Sequence, residues 1–134
     1  MEKEFLEKLY QDNKECSKCP SPKKIEHFVR ALISLLFPDF DKRDFNSFRE
    51  FRLFSDQLKV DLELLLSRNP DLLKGKADIV DEFFAEIPEL YELISEDIDA
   101  MLKGDPAAKS KAEIIKSYPG FYAISSYRIA HRLC

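Results

Sequence analysis

Asp105 has the clearest opportunity for chemistry in this chain. It stands between Gly104 and Pro106, where one helical pattern stops and another starts. Glycine suits the left-handed position just after a helix, aspartate suits an N-cap, and proline suits a first helical turn. Two roles are open to the carboxylate. It can cap the next helix, satisfying backbone donors and complementing the helix dipole. It can also be presented at a helix start to grip an ammonium group. The two are compatible, because a carboxylate has two oxygens with several acceptor sites.

Other groups offer less. Arg128 and His131 stand three residues apart, which puts them on one helix face. They read as packing against, and hydrogen bonding to, a preceding helix, with catalysis by His131 as the sharper alternative. Cys16 and Cys19 have CxxC spacing. Zinc would need two further ligands, and only His27 is near. A redox CxxC would come after a strand and open a helix, whereas here Pro20 and Pro22 come after it. The pair reads as a loop with two ordinary thiols, and no metal site is expected. Glu89, Glu92, Glu96, Asp97 and Asp99 read as a solvated helix face, and Asp71 and Asp78 as loop and cap residues. Tyr118, Phe121, Tyr122 and Tyr127 read as packing. No glycine-rich phosphate loop, GxSxG or HExxH is present.

The elements that must position Asp105 are helical throughout. Phe5, Leu6 and Leu9 mark a short amphipathic helix over 2–11, and 12–22 reads as loop. Ile25, Phe28, Val29, Leu32, Ile33 and Leu36 predict a helix from Lys23 to Phe37, closed by Pro38. Asp44 is the expected N-cap of the next, with Phe48, Phe51, Leu58, Leu62 and Leu65 as its stripe, ending near Ser67-Arg68-Asn69. Val80, Phe83, Phe84, Ile87, Leu90, Ile94 and Ile98 continue the pattern across Pro88. That predicts either two helices, 78–86 and 88–103, or one kinked helix. A short helix comes next over Pro106–Lys116, or starts later at the Ser110/Glu113 capping box. Pro119 opens a last helix with Phe121, Ile124, Arg128 and His131 on one face, and Ile129 and Leu133 beside it. The expectation is an all-α, compact multi-helix fold of about five to seven helices with no sheet. Its parts are an N-terminal helix and Cys/Pro loop over 1–22 and a helical domain over 23–134.

Composition supports this and excludes several classes. The chain has 134 residues, 45% hydrophobic and 34% charged, with only 3 glycines. A chain of that length buries enough surface for a real core, and so few glycines disfavour a turn-rich sheet fold. Net charge is −4, with an isoelectric point near 5.3, which argues against a nucleic-acid surface. The longest apolar run, residues 31–37, is far short of the roughly 18 needed to span a bilayer. The charged start, Met-Glu-Lys-Glu-Phe, lacks a signal-peptide core. Three cysteines without a secretion signal fit a reducing compartment, so a cytoplasmic protein is expected. The pattern stops inside an amphipathic helix at Cys134. That predicts a chain cut from something longer.

Residues 104–133 carry a recognisable order. Gly104-Asp105-Pro106-Ala107-Ala108, then Tyr118-Pro119-Gly120-Phe121, then Tyr127-Arg128-Ile129-Ala130-His131 resembles the serine O-acetyltransferase family, just ahead of its left-handed parallel β-helix. The resemblance implies acetyl transfer from acetyl-CoA to L-serine, giving O-acetyl-L-serine for cysteine synthesis. A β-helix histidine would act as general base, so the catalytic residues and the acetyl-CoA cleft would lie outside this chain. No cofactor is expected here; acetyl-CoA is the co-substrate of the parent enzyme. Asp105 matches the aspartate that faces the serine amino group. Pro106, Tyr118, Pro119, Gly120, Arg128 and His131 match motif positions with a structural role. Where Cys134 stands the family usually has an aromatic residue.

The resemblance also implies partners. They are self-association through helices, as a trimer or a dimer of trimers, and the cysteine synthase sulfhydrylase through a far carboxyl tail. The broad stripe of residues 45–66 and the Phe83-Phe84 pair are the expected exposed apolar surface. The competing reading is a free-standing helical interaction or regulatory module without enzymatic role.

Overall fold

In the computed structural model, residues 1–16, 22–67 and 76–133 are described, the side chains of 16 and 76–78 excepted. Seven helices and no strand occur among them. They are α1 (Lys3–Cys16), α2 (Pro22–Leu36), α3 (Phe48–Leu66), α4 (Lys76–Ala85), α5 (Ile87–Gly104), α6 (Lys111–Ser117) and α7 (Pro119–Leu133). The all-α expectation holds. The expectations for Cys19, Asp71, Asp78, Pro70, Cys134 and the Cys16 thiol fall outside the described residues or side chains.

α1 continues to Cys16, past the expected end at residue 11. Residues 12–16 lack apolar periodicity but contain no helix breaker, so the helix simply continues. α2 presents Phe28, Leu32 and Ile33 to the core and ends one residue before Phe37, whose amide still donates to the Ile33 carbonyl at 2.8 Å. Asp44 does not cap α3. Ser47 does, accepting from the Glu50 amide at 3.2 Å, while Glu50 Oε2 accepts from the Asn46 amide at 2.8 Å. This is a capping-box arrangement. Phe45, just outside, stacks edge-on against Phe51 with centroids 5.1 Å apart and pins the entry of the chain.

Pro88 separates two helices rather than kinking one. Glu86 is the joint, its amide shared between the Glu82 and Phe83 carbonyls at 3.1 Å each. Pro88 then sits in the first turn of α5, where a missing amide costs nothing. α5 ends at Gly104 without a left-handed glycine, because Asp105 leaves the helix in an extended conformation (φ −118°, ψ 106°).

α2 packs on α3 and α7, α5 on α6 and α7, and α3 on α4. Leu32, Ile33, Val80, Ile94, Ile114, Phe121 and Ile129 are fully buried between them. The Phe37–Phe40 turn ties the end of α2 to α5 and α7. Phe37 stacks on Tyr91 at 5.1 Å and meets Phe121 edge-on at 5.7 Å, and Phe40 stacks on Tyr122 at 5.8 Å.

Two burial expectations are corrected. Phe83 is core, 2% exposed, against Phe28 at 6.4 Å, so it offers no surface for assembly. The buried face of α7 is Phe121, Ser125 and Ile129, not the Phe121–Ile124–Arg128–His131 line. The i, i+4, i+8 row contains a serine, which hides it from a count of apolar residues.

Candidate functional site

The surroundings of Asp105 are built by residues 106–118. The chain turns over residues 105–108, with the Ala108 amide donating to the Asp105 carbonyl at 3.1 Å. Within that turn the Ala107 amide donates to Asp105 Oδ1 at 2.9 Å, a side-chain-closed turn typical of aspartate. Asp105 is therefore not the cap of the next helix. Ser110 is, accepting from the Glu113 amide at 3.2 Å while Glu113 accepts from the Lys109 amide at 3.1 Å. The later start wins because a complete capping box satisfies two amides, and Asp105 is consumed by its own turn.

α6 acts as a short spacer. Its 7 residues end at Ser117, and Tyr118 after it is extended (φ −88°, ψ 115°), as a residue before proline should be. The chain has then reversed enough for the Tyr118 hydroxyl to donate to Asp105 Oδ2 at 2.6 Å. Each carboxylate oxygen thus accepts one hydrogen bond, from a backbone amide and from a phenol. Both donors favour the ionised form, the phenol first and the amide second, and hold the carboxyl below its ordinary 3.8. The same bond, with smaller help from burial and the nearby carboxylates, pushes the Tyr118 phenol up to about 12. The carboxylate's contribution to the fold is present above its ordinary range and fades as pH falls through its lowered value. The phenol's is complete below 10 and is lost as pH rises through about 12.

Such a carboxylate is a fixed, half-buried, fully ionised acceptor. Each oxygen keeps acceptor capacity after one bond, so the group can still accept from a further donor, most strongly from a charged one.

The other motif residues fall elsewhere. Arg128 makes a two-pronged pair with Asp97, through Nε to Oδ2 and Nη2 to Oδ1, the latter at 2.8 Å, clamping α7 to α5. Asp97 is therefore not a solvated face residue; its side chain is 13% exposed. It lies on the shoulder of the Ile94/Ile98 stripe, the available signal that it could reach a neighbour. Arg132, to which sequence alone gives no role, bridges Glu86 at 3.1 Å and Glu89 at 3.2 Å. His131 is exposed and stacks on Tyr127 at 5.9 Å. Pro106 lies in the Asp105 turn and Pro119 starts α7. Gly120 has ordinary room: an added Cβ would meet Met101 Cε at 3.9 Å. His27 is exposed on α2. No cluster of metal-ligating side chains occurs among the described residues, and no described helix is long and apolar enough to cross a membrane.

Residues 53–126, more than half of the chain, match the family described as serine acetyltransferase, N-terminal. The chain belongs to that family. A serine acetyltransferase of Synechococcus elongatus, plasmid-borne, is 43% identical over 65 residues, 48% of this chain and 20% of the relative. The Bacillus subtilis serine acetyltransferase is 46% identical over 43 residues, 32% of this chain and 20% of its own length. A Helicobacter pylori serine acetyltransferase is 42% identical over 40 residues, 30% and 23%. The chain thus matches about a fifth of the length of these relatives. Asp105, Tyr118 and the whole of α6 fall inside the family match, so the turn and its returning phenol belong to the serine acetyltransferase N-terminal domain.

Proposed function

We propose that this chain supplies assembly and one wall of the serine pocket to a serine O-acetyltransferase, which moves acetyl from acetyl-CoA to the hydroxyl of L-serine. The observation that carries the reading is the Asp105 carboxylate, held by the Tyr118 hydroxyl at 2.6 Å and the Ala107 amide at 2.9 Å within the family-matched stretch. Serine brings an ammonium, a hydroxyl and a carboxylate. Asp105 takes the ammonium and so sets where the hydroxyl lies. A histidine of the family's β-helix would take the hydroxyl proton, the oxygen attacks the thioester carbonyl, and the thiolate of CoA leaves. Asp105 binds and orients; it moves no proton. The expected setting is cytoplasmic, in cysteine synthesis, with the sulfhydrylase as a partner reached by other parts of the protein.

Self-association belongs to the same reading. On α1 Phe5, Leu6, Leu9 and Tyr10 are between 42% and 56% exposed, and on α3 Phe48 and Leu64 are 76% and 60% exposed. Apolar side chains grouped in this way suit a mating surface.

The test is steady-state kinetics on the protein joined to its β-helix. Asp105→Ala should raise the KM for serine about 10- to 100-fold, the worth of hydrogen bonds to a charged group. The 134-residue chain alone should transfer no acetyl group. An unchanged serine KM would remove Asp105 from the pocket, and turnover by the chain alone would place catalysis within it.

A further inference from the structure

Resting on the reading of Asp105 as the ammonium-binding group, we propose that Tyr118 is a positioning residue for serine, fixing the rotamer of the Asp105 carboxylate through its hydroxyl. The Ala107 amide alone would restrain one oxygen and leave the carboxylate free to rock about it. The phenol, 13 residues away in sequence, adds a second point on the other oxygen at 2.6 Å. Two points on two oxygens set the plane of the group. That plane decides where the remaining acceptor sites aim, and so where an ammonium sits.

The fold spends a complete element on this contact. The capping box at Ser110 and Glu113 starts α6, Pro119 holds Tyr118 extended at its end, and buried Ile114 and Ile115 anchor the helix between. α6 packs on α5, the helix from which Asp105 emerges, so both ends of the hydrogen bond are referred to one support. A ring alone would pack as well without its hydroxyl. The bond also keeps the carboxyl ionised further into acid.

Wild type, Asp105→Asn and Tyr118→Phe are compared in the protein joined to its β-helix, with kcat and KM for both substrates and the melting temperature of each. Tyr118→Phe keeps the ring and removes the hydroxyl. It should raise the serine KM about 3- to 10-fold, the range for one hydrogen bond, and spare the KM for acetyl-CoA. Asp105→Asn should weaken serine more. If Asp105→Asn weakens serine while Tyr118→Phe leaves the serine KM unchanged, Tyr118 is not a positioning residue and the ammonium reading stands. If neither variant changes serine use, the ammonium reading falls and this inference with it. Equal losses for both substrates with a lowered melting temperature would make Tyr118 structural only, and overturn the inference.

Discussion

The helices at the two ends of this domain are held in different ways. Around α5, α6 and α7 the polar contacts join distant positions: Arg128 to Asp97 across 31 residues, Arg132 to Glu86 across 46, Tyr118 to Asp105 across 13. In α1 and α3 most of them span one turn, as in Lys3–Glu7, Ser47–Glu50 and Gln57–Asp61. Lys59–Asp81, at 2.7 Å between exposed side chains, is the bridge from α3 to α4. A one-turn bond supports its own helix but says nothing about a neighbour. A bond between helices fixes their relative placement. The end that carries Asp105 is cross-braced, and α1 faces solvent with an apolar side.

The largest effect should come from cutting the aromatic link between the Phe37–Phe40 turn and α7. Phe121 is fully buried and meets Phe37 and Phe40 at 5.7 and 6.0 Å. Phe121→Ala should cost about 3–5 kcal/mol in chemical denaturation, the transfer loss plus the cavity. A cost under about 1 kcal/mol would mean that the Phe37–Phe40 turn and α7 do not share a core.

Next in size is the brace itself. Asp97→Ala leaves a guanidinium whose side chain is only 31% exposed without its carboxylate. The expected loss is about 2 kcal/mol, within the range for charge-assisted hydrogen bonds. Glu7→Ala, breaking an exposed 4.0 Å pair on α1, should change stability by less than about 0.5 kcal/mol. Equal losses would erase the contrast between the two ends.

The same contrast explains how far the sequence could be read. Apolar periodicity locates α2, α3, α5 and α7, and proline places their breaks, because both act within one turn of chain. Phe83 and Phe84 look alike in sequence, yet only the first is fully buried; which one turns inward depends on Phe28 of another helix. Asp97 reads as solvent face until α7 brings Arg128 to it. Asp105 is legible as a break and, by resemblance, as a substrate residue. Its bond to Tyr118 is not, since it depends on how α6 folds the chain back. Local rules reach the helices and the Ser110/Glu113 capping box, but they offer Asp44 where Ser47 caps α3 and miss the serine in the buried row of α7; long-range pairing needs the fold.

A smaller effect, of opposite sign, should come from Ser125. It is fully buried in α7, and its Oγ has no hydrogen-bond partner among the described residues. Ser125→Ala removes an unsatisfied polar group with almost no change in shape. It should stabilise the domain by about 1 kcal/mol. A loss instead would show that the hydroxyl is satisfied in solution, by a buried water for instance.

The smallest effect on the fold, and the most informative about α1, concerns Phe5 and Leu9. They are 49% and 42% exposed on one side of the helix. Changing both to alanine should alter the stability of the single chain by less than about 0.5 kcal/mol, as for other surface positions. If α1 mates with a second copy, the same change should weaken self-association in sedimentation and remove any dependence of melting temperature on protein concentration. Stability lost at every concentration would make α1 part of the core, braced like the other end. An unchanged oligomer would leave α3, with Phe48 and Leu64, as the face to test.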